Sequence, residues 1–313
     1  MMRFAMLFPG QGAQKIGMLT NLATAYNRVE QTFAEASDVL AYDLWKLVQK
    51  GPTQLLNQTW RTQAAILAAS VSIFRIWQDK STDMPTILAG HSLGEYSALV
   101  CAGALSFTEA IKLVDLRGKF MQEAVPENSG AMQVIIGLEA TAIARACRES
   151  AHDQIVSLVN YNSPHQVVIA GHKAAVERAG IACKLAGAKI ILTLPVSVPS
   201  HCSLMKSAAE KLAIILDQIH FQTPMYRVVN NVDVMIKTSP NAIKKALIRQ
   251  LYNPVRWTES IEFIAKQDLT LLLEIGPGKT LSGLTKRIIP TLKSISVNDQ
   301  DSLIAALQKS RGK

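Results

Sequence analysis

Thr86-Ile87-Leu88-Ala89-Gly90-His91-Ser92-Leu93-Gly94-Glu95-Tyr96-Ser97-Ala98 decides how the chain is read. Thr86–Ala89 reads as a short buried strand. The run from Gly94 to about Ala102 reads as a helix, with Gly103 as its C-terminal stop. Between them lies Gly90-His91-Ser92-Leu93-Gly94, a G-x-S-x-G sequence. Glycines there permit a tight strand-to-helix turn that lifts the serine hydroxyl above the sheet edge. The helix that follows turns its amide N–H groups and positive dipole end toward any oxyanion forming at that serine. Ser92 is therefore a candidate nucleophile, and a purely structural glycine turn is the alternative.

Outward from this turn the chain alternates strands and helices. Phe4–Phe8 reads as a buried strand entering the turn Pro9-Gly10-Gln11-Gly12. Helical periodicity covers Tyr26–Leu40. Thr62 reads as the cap of a long helix Ala64–Trp77, and Ser106-x-x-Glu109 as a capping box opening a helix that ends near Pro126. From Gly130 to Pro195 the order changes to strand, helix, two strands, helix, strand. This is the βαββαβ pattern of a ferredoxin-like unit. Helices are predicted at Ser203–Asp217 and Asn241–Gln250, and a strand at Leu271–Ile275. Gly276-Pro277-Gly278 then turns into a helix over Lys279–Ile289. The fold class is α/β: a large α/β-hydrolase-like domain with a parallel sheet, residues 1–127 and 197–313, interrupted by a ferredoxin-like subdomain at 128–196.

Composition narrows the function. With 313 residues, 49% of them hydrophobic and 18% charged, the chain can bury a core and is not disordered. The N-terminal apolar run is short and cut by Pro9, unlike a signal peptide, and Ala64–Trp77 is broken by Arg75 and too short to span a bilayer. A cytoplasmic protein without a membrane segment is expected. Cys101, Cys147, Cys183 and Cys202 form no C-x-x-C pair and read as small buried thiols; no metal site is expected. Thirty-three Lys and Arg against 24 Asp and Glu give a net charge of +9. The basic residues are scattered and aromatics are 6%, so a phosphate-bearing or acidic protein partner is favoured over nucleic acid.

Arg117 falls within the apolar stripe Ala110, Leu113, Val114, Phe120 and Met121. A buried guanidinium needs an acidic partner, which is either a core carboxylate or the carboxylate of a substrate. A serine nucleophile also needs a base. Spacing does not choose among His91, His152, His165, His172, His201 and His220, and the side chains of His91 and Ser92 should diverge at the turn.

Taken in order, Gly10-Gln11-Gly12, Gly90 to Ala98, Arg117, Asn160-Tyr161-Asn162-Ser163-Pro164, Val198-Pro199-Ser200-His201, Gln250 to Trp257 and Glu274 to Gly278 resemble the malonyl-CoA:acyl carrier protein transacylases of bacterial fatty-acid synthesis. The resemblance runs nearly end to end. It implies Ser92 as nucleophile and His201 as base, the imidazole being oriented by the backbone carbonyl of Gln250. It implies an oxyanion hole from the amides of Gln11 and Leu93, and Arg117 as the holder of the malonyl carboxylate. His91 and Asn160 would line or brace the site. Malonyl-CoA and an acidic acyl carrier protein would be the substrates of a monomeric enzyme without cofactor. Three other readings share parts of this pattern. A serine hydrolase would normally add an acidic triad member and has no use for Arg117. A polyketide-synthesis transacylase could take methylmalonyl. A non-catalytic carrier-binding scaffold would have no need for Ser92, Arg117 and His201 together.

Overall fold

Phe4-Ala5-Met6-Leu7-Phe8 is apolar and buried at every position, which requires cover on both faces of its sheet. The computed structural model, which describes residues 3–196 and 198–311, provides that cover. The domain junction placed at residue 197 and the two extreme ends of the chain lie outside the described residues. The strands are β1 (Phe4–Phe8), β2 (Ile87–Gly90), β3 (Gly130–Ile136), β4 (Val156–Ser163), β5 (Gln166–His172), β6 (Ile190–Thr193), β7 (Arg227–Val229), β8 (Leu271–Ile275) and β9 (Lys293–Val297). A parallel five-stranded sheet has the order β7-β2-β1-β8-β9. One face packs on the helices Thr59–Lys80 and Phe107–Glu123, the other on Trp257, Ile261 and Leu284.

The second sheet is antiparallel, in the order β4-β5-β3-β6, with helices Ala140–Ala151 and Lys173–Leu185 on one face. This is the ferredoxin-like arrangement of the predicted βαββαβ segment. Among its contacts with the large sheet's side of the molecule is a short parallel bridge. Tyr161 donates its N–H to Val255 O at 2.9 Å, and Val255 donates to Val159 O at 2.9 Å.

Local readings were displaced in two places. Thr62 does not cap a helix: the helix already begins at Thr59, and the Thr62 hydroxyl donates to Leu56 O from inside the first turn. Ser106 does cap its helix, accepting from Glu109 N–H, but the Glu109 carboxylate binds the Ser106 hydroxyl instead of closing the box on the backbone. Beyond Gln250 the sequence reading omitted the helices Trp257–Ala265 and Gln300–Ser310 and strand β9. The last helix carries a capping box on Asp299 and Ser302, and Asp299 was the available signal. The four cysteines are buried and unpaired. Among the described residues no helix is long and apolar enough to cross a membrane.

Candidate active site

Because β1, β2 and β7 are parallel neighbours, the loops leaving their C-terminal ends converge. β2 ends in the G-x-S-x-G turn. Its backbone is crowded: a Cβ on Gly90 would lie 1.8 Å from Gly94 C, and one on Gly94 would lie 2.0 Å from Phe8 O. No other residue fits either place. Ser92 sits at φ +53°, a left-handed conformation that costs a non-glycine residue roughly 1–2 kcal/mol. Neighbours hold it there. Asn231, just past β7, accepts the Ser92 N–H at 2.7 Å and donates to Gly90 O at 2.7 Å, clipping both sides of the turn. The Gln250 side chain donates to Ser92 O at 3.0 Å. Asn231 was not identified from the sequence; its only signal was a polar pair, Asn230-Asn231, ending a strand.

The hydroxyl of Ser92 lies 2.7 Å from His201 Nε2, and His201 Nδ1 lies 2.7 Å from the backbone oxygen of Gln250. A carbonyl can only accept, so the proton is on Nδ1 and Nε2 is free to accept from the serine. His201 also has a left-handed φ, +65°, and its own N–H donates to Leu251 O at 2.9 Å. Burial and the nearby Arg117 cation push its pKa down to about 3, against the opposing pull of the Gln250 carbonyl. The imidazole is therefore neutral across the ordinary pH range.

Arg117 is 1% exposed, as its apolar stripe required, but no carboxylate touches it among the described residues. It donates to Gln63 Oε1 at 2.7 Å and Gln250 Oε1 at 3.1 Å, lies 3.4 Å from the Ser92 hydroxyl, and covers the ring of Tyr96. Its Nε is buried without a partner among the described residues. The core salt bridge weighed as one alternative is absent among these contacts. Burial lowers the Arg117 pKa, yet a guanidinium stays charged. Gln63, on the long helix, was missed because an isolated glutamine in an apolar run carries no signal.

Gln11, His91, Ser92, Leu93, Arg117, Asn160 and His201 all line one cavity, with Met121, Met132 and Leu194 among its apolar walls. Among the described residues no hydrogen bond uses the amide N–H of Gln11 or Leu93. Asn160, on β4, brings a buried side-chain oxygen without a partner among the described residues. His91 is held aside: its Nε2 is 2.8 Å from Asn162 Oδ1, its ring is tilted against Trp257, and burial lowers its pKa. Glu274 takes no part in the cavity; its carboxylate caps the helix Thr280–Ile288 through the N–H groups of Leu281 and Ser282. No cluster of potential metal ligands occurs among the described residues.

This arrangement can form and break an acyl ester next to a fixed cation. The acyl transferase domain family matches residues 5–313 of the chain. The malonyl CoA-acyl carrier protein transacylase of Salmonella typhimurium is 61% identical over 98% of this chain and 99% of its own length. The chain belongs to the malonyl CoA-acyl carrier protein transacylase family. Within it, the Bacillus subtilis transacylase is 42% identical over 98% of this chain and 97% of its own. Among solved structures, a malonyl-transacylase in complex with its type II PKS acyl-carrier protein superposes with a TM-score of 0.97. It is 66% identical and covers 98% of this chain and 99% of its own. An acyl carrier protein S-malonyltransferase from Vibrio cholerae gives 0.95 at 62% identity, covering 97% and 99%. As a member of this transacylase family the chain is an acyltransferase.

Proposed function

We propose that this chain moves the malonyl group of malonyl-CoA to the phosphopantetheine thiol of an acyl carrier protein through a malonyl ester on Ser92, supplying fatty-acid synthesis. The observation that carries this reading is the Ser92–His201–Gln250 relay opening onto the same cavity as an arginine that, among the described residues, no carboxylate contacts. His201 Nε2 takes the hydroxyl proton as Ser92 Oγ attacks the thioester carbonyl. The oxyanion sits against the Gln11 and Leu93 amides, and collapse expels the CoA sulfur, which leaves with the proton returned by His201. The carrier thiol then gives its proton to His201 and attacks the serine ester, releasing malonyl-carrier and restoring the Ser92 hydroxyl. Arg117 holds the malonyl carboxylate through both steps. No step calls for a cofactor or metal.

Intact-mass measurement after mixing with malonyl-CoA tests the proposal. One malonyl adduct mapping to Ser92, absent from Ser92→Ala, is expected. An adduct elsewhere, or an acylated Ser92→Ala protein, overturns it.

A further inference from the structure

Among the described residues Glu95 is the carboxylate buried beneath the site, at 2% exposure, and the mechanism above does not use it. It lies in the first turn of the helix Gly94–Cys101, where the helix dipole favours an anion. A single oxygen, Oε2, accepts from Asn231 N–H at 3.0 Å and from Gln250 Nε2 at 2.8 Å. The opposite end of the same Gln250 amide, Oε1, accepts from Arg117. Carboxylate, amide and guanidinium thus form a line, with the amide dipole's negative end on the cation and its positive end on the anion. A direct ion pair would occupy the guanidinium edge that a substrate carboxylate needs; the interposed amide does not.

Resting on the reading of Arg117 as the carboxylate clamp, we propose that Glu95 is a positioning residue for substrate selection, fixing the Gln250 amide so that Arg117 stays oriented and unoccupied. A carboxylate only accepts hydrogen bonds, so it dictates which end of the Gln250 amide faces it. A glutamine in its place accepts or donates, and the amide is left with only the longer bonds to the Ser92 carbonyl and Arg117 to orient it. Asn231, the clip of the Ser92 turn, hangs from the same oxygen, so Glu95 also supports the nucleophile.

Burial raises the Glu95 pKa to about 7, with Asp233 adding to the rise, while the Asn231 and Gln250 hydrogen bonds and the Arg117 cation oppose it. Tyr96 and Arg249 also lie within its electrostatic reach. Glu95 therefore takes up a proton as pH falls through about 7, and the constraint on Gln250 weakens with it. His201, at about 3, does not titrate in that window.

The test compares single-turnover acylation by malonyl-CoA and acetyl-CoA across the neutral range in wild type, Glu95→Gln, Arg117→Ala and the double variant. Acetyl-CoA carries the same CoA phosphates and no carboxylate, so the ratio isolates recognition of the acyl carboxylate. The malonyl-to-acetyl ratio of kcat/KM should fall roughly tenfold or more in Glu95→Gln. Its decline on the acid side of neutrality in wild type should disappear in that variant. In the Arg117→Ala background the second substitution should leave the ratio unchanged. Glu95→Gln is close to isosteric and is checked for folding by its thermal midpoint, which Glu95→Ala need not survive. A Glu95→Gln ratio equal to or above wild type, with the acid limb retained, overturns the inference. If Arg117→Ala itself keeps the wild-type ratio, the clamp reading fails first; if only Glu95→Gln keeps it, the clamp stands and Glu95 has no part in it.

Discussion

Replacing Arg117 by alanine removes the only cation that contacts the Ser92 hydroxyl among the described residues, and the size of the effect can be worked from its surroundings. The guanidinium is 1% exposed and is met by two neutral amide oxygens, so a malonyl carboxylate would be the first anion to pair with it. Truncating one side of a desolvated charge pair costs about 2–5 kcal/mol, because the other charge is left buried. At 1.36 kcal/mol per tenfold, the malonyl-to-acetyl ratio of kcat/KM should fall by roughly 30-fold to several thousand-fold. The lower end is expected, since Gln63 and Gln250 can turn their amides toward an orphaned carboxylate. Acetyl-CoA controls for packing damage in the same variant, and a thermal melt separates damage to the fold. A second readout is independent of substrate choice. Arg117 is the second-largest cause of the depressed His201 pKa, after burial, so its loss makes the imidazole easier to protonate. Protonated His201 cannot accept from Ser92, so the acid limb of acetyl transfer should move to higher pH in Arg117→Ala. An unchanged malonyl-to-acetyl ratio in a folded variant would refute the clamp.

Three further outcomes are expected. His201→Ala should slow serine acylation and thiol attack together, while His91→Ala, which loses the Asn162 bond and a Trp257 contact, should retain more activity; normal single-turnover acylation in the His201 variant would remove it from the relay. Gly94→Ala should fail to accumulate folded protein or should lose Ser92 reactivity, because its Cβ would overlap Phe8 O; an active variant of wild-type thermal midpoint would contradict the geometry of the turn. Lys189, Lys286 and Arg287 are exposed, and with a net charge of +9 they should attract an acidic carrier. The carrier step, followed from preformed acyl-enzyme, should then slow several-fold as salt shortens the Debye length from about 30 Å to about 8 Å. A salt-independent second-order rate would assign the positive charge to solubility alone.

Much of this protein was legible in the sequence because its signals are local. The Gly90–Gly94 turn, the apolar strand Phe4–Phe8 and the βαββαβ alternation each depend on periodicity or on backbone freedom within a few residues. The apolar stripe around Arg117 likewise announced a buried cation. Residue patterns alone did not choose the base or supply Arg117 with a partner, and the resemblance to the family named both. Only the tertiary structure shows which side chains surround those two residues. Asn231 reaches the Ser92 turn across 139 residues because β7 lies parallel beside β2. Gln250 meets Ser92, Glu95, Arg117 and His201 because its helix ends where the sheet's loops converge. The sequence carried a buried positive charge as a demand for an anion. The fold answered with neutral amides and placed the carboxylate one amide further away, since strand order, which no local pattern encodes, decides which distant side chains share a cavity.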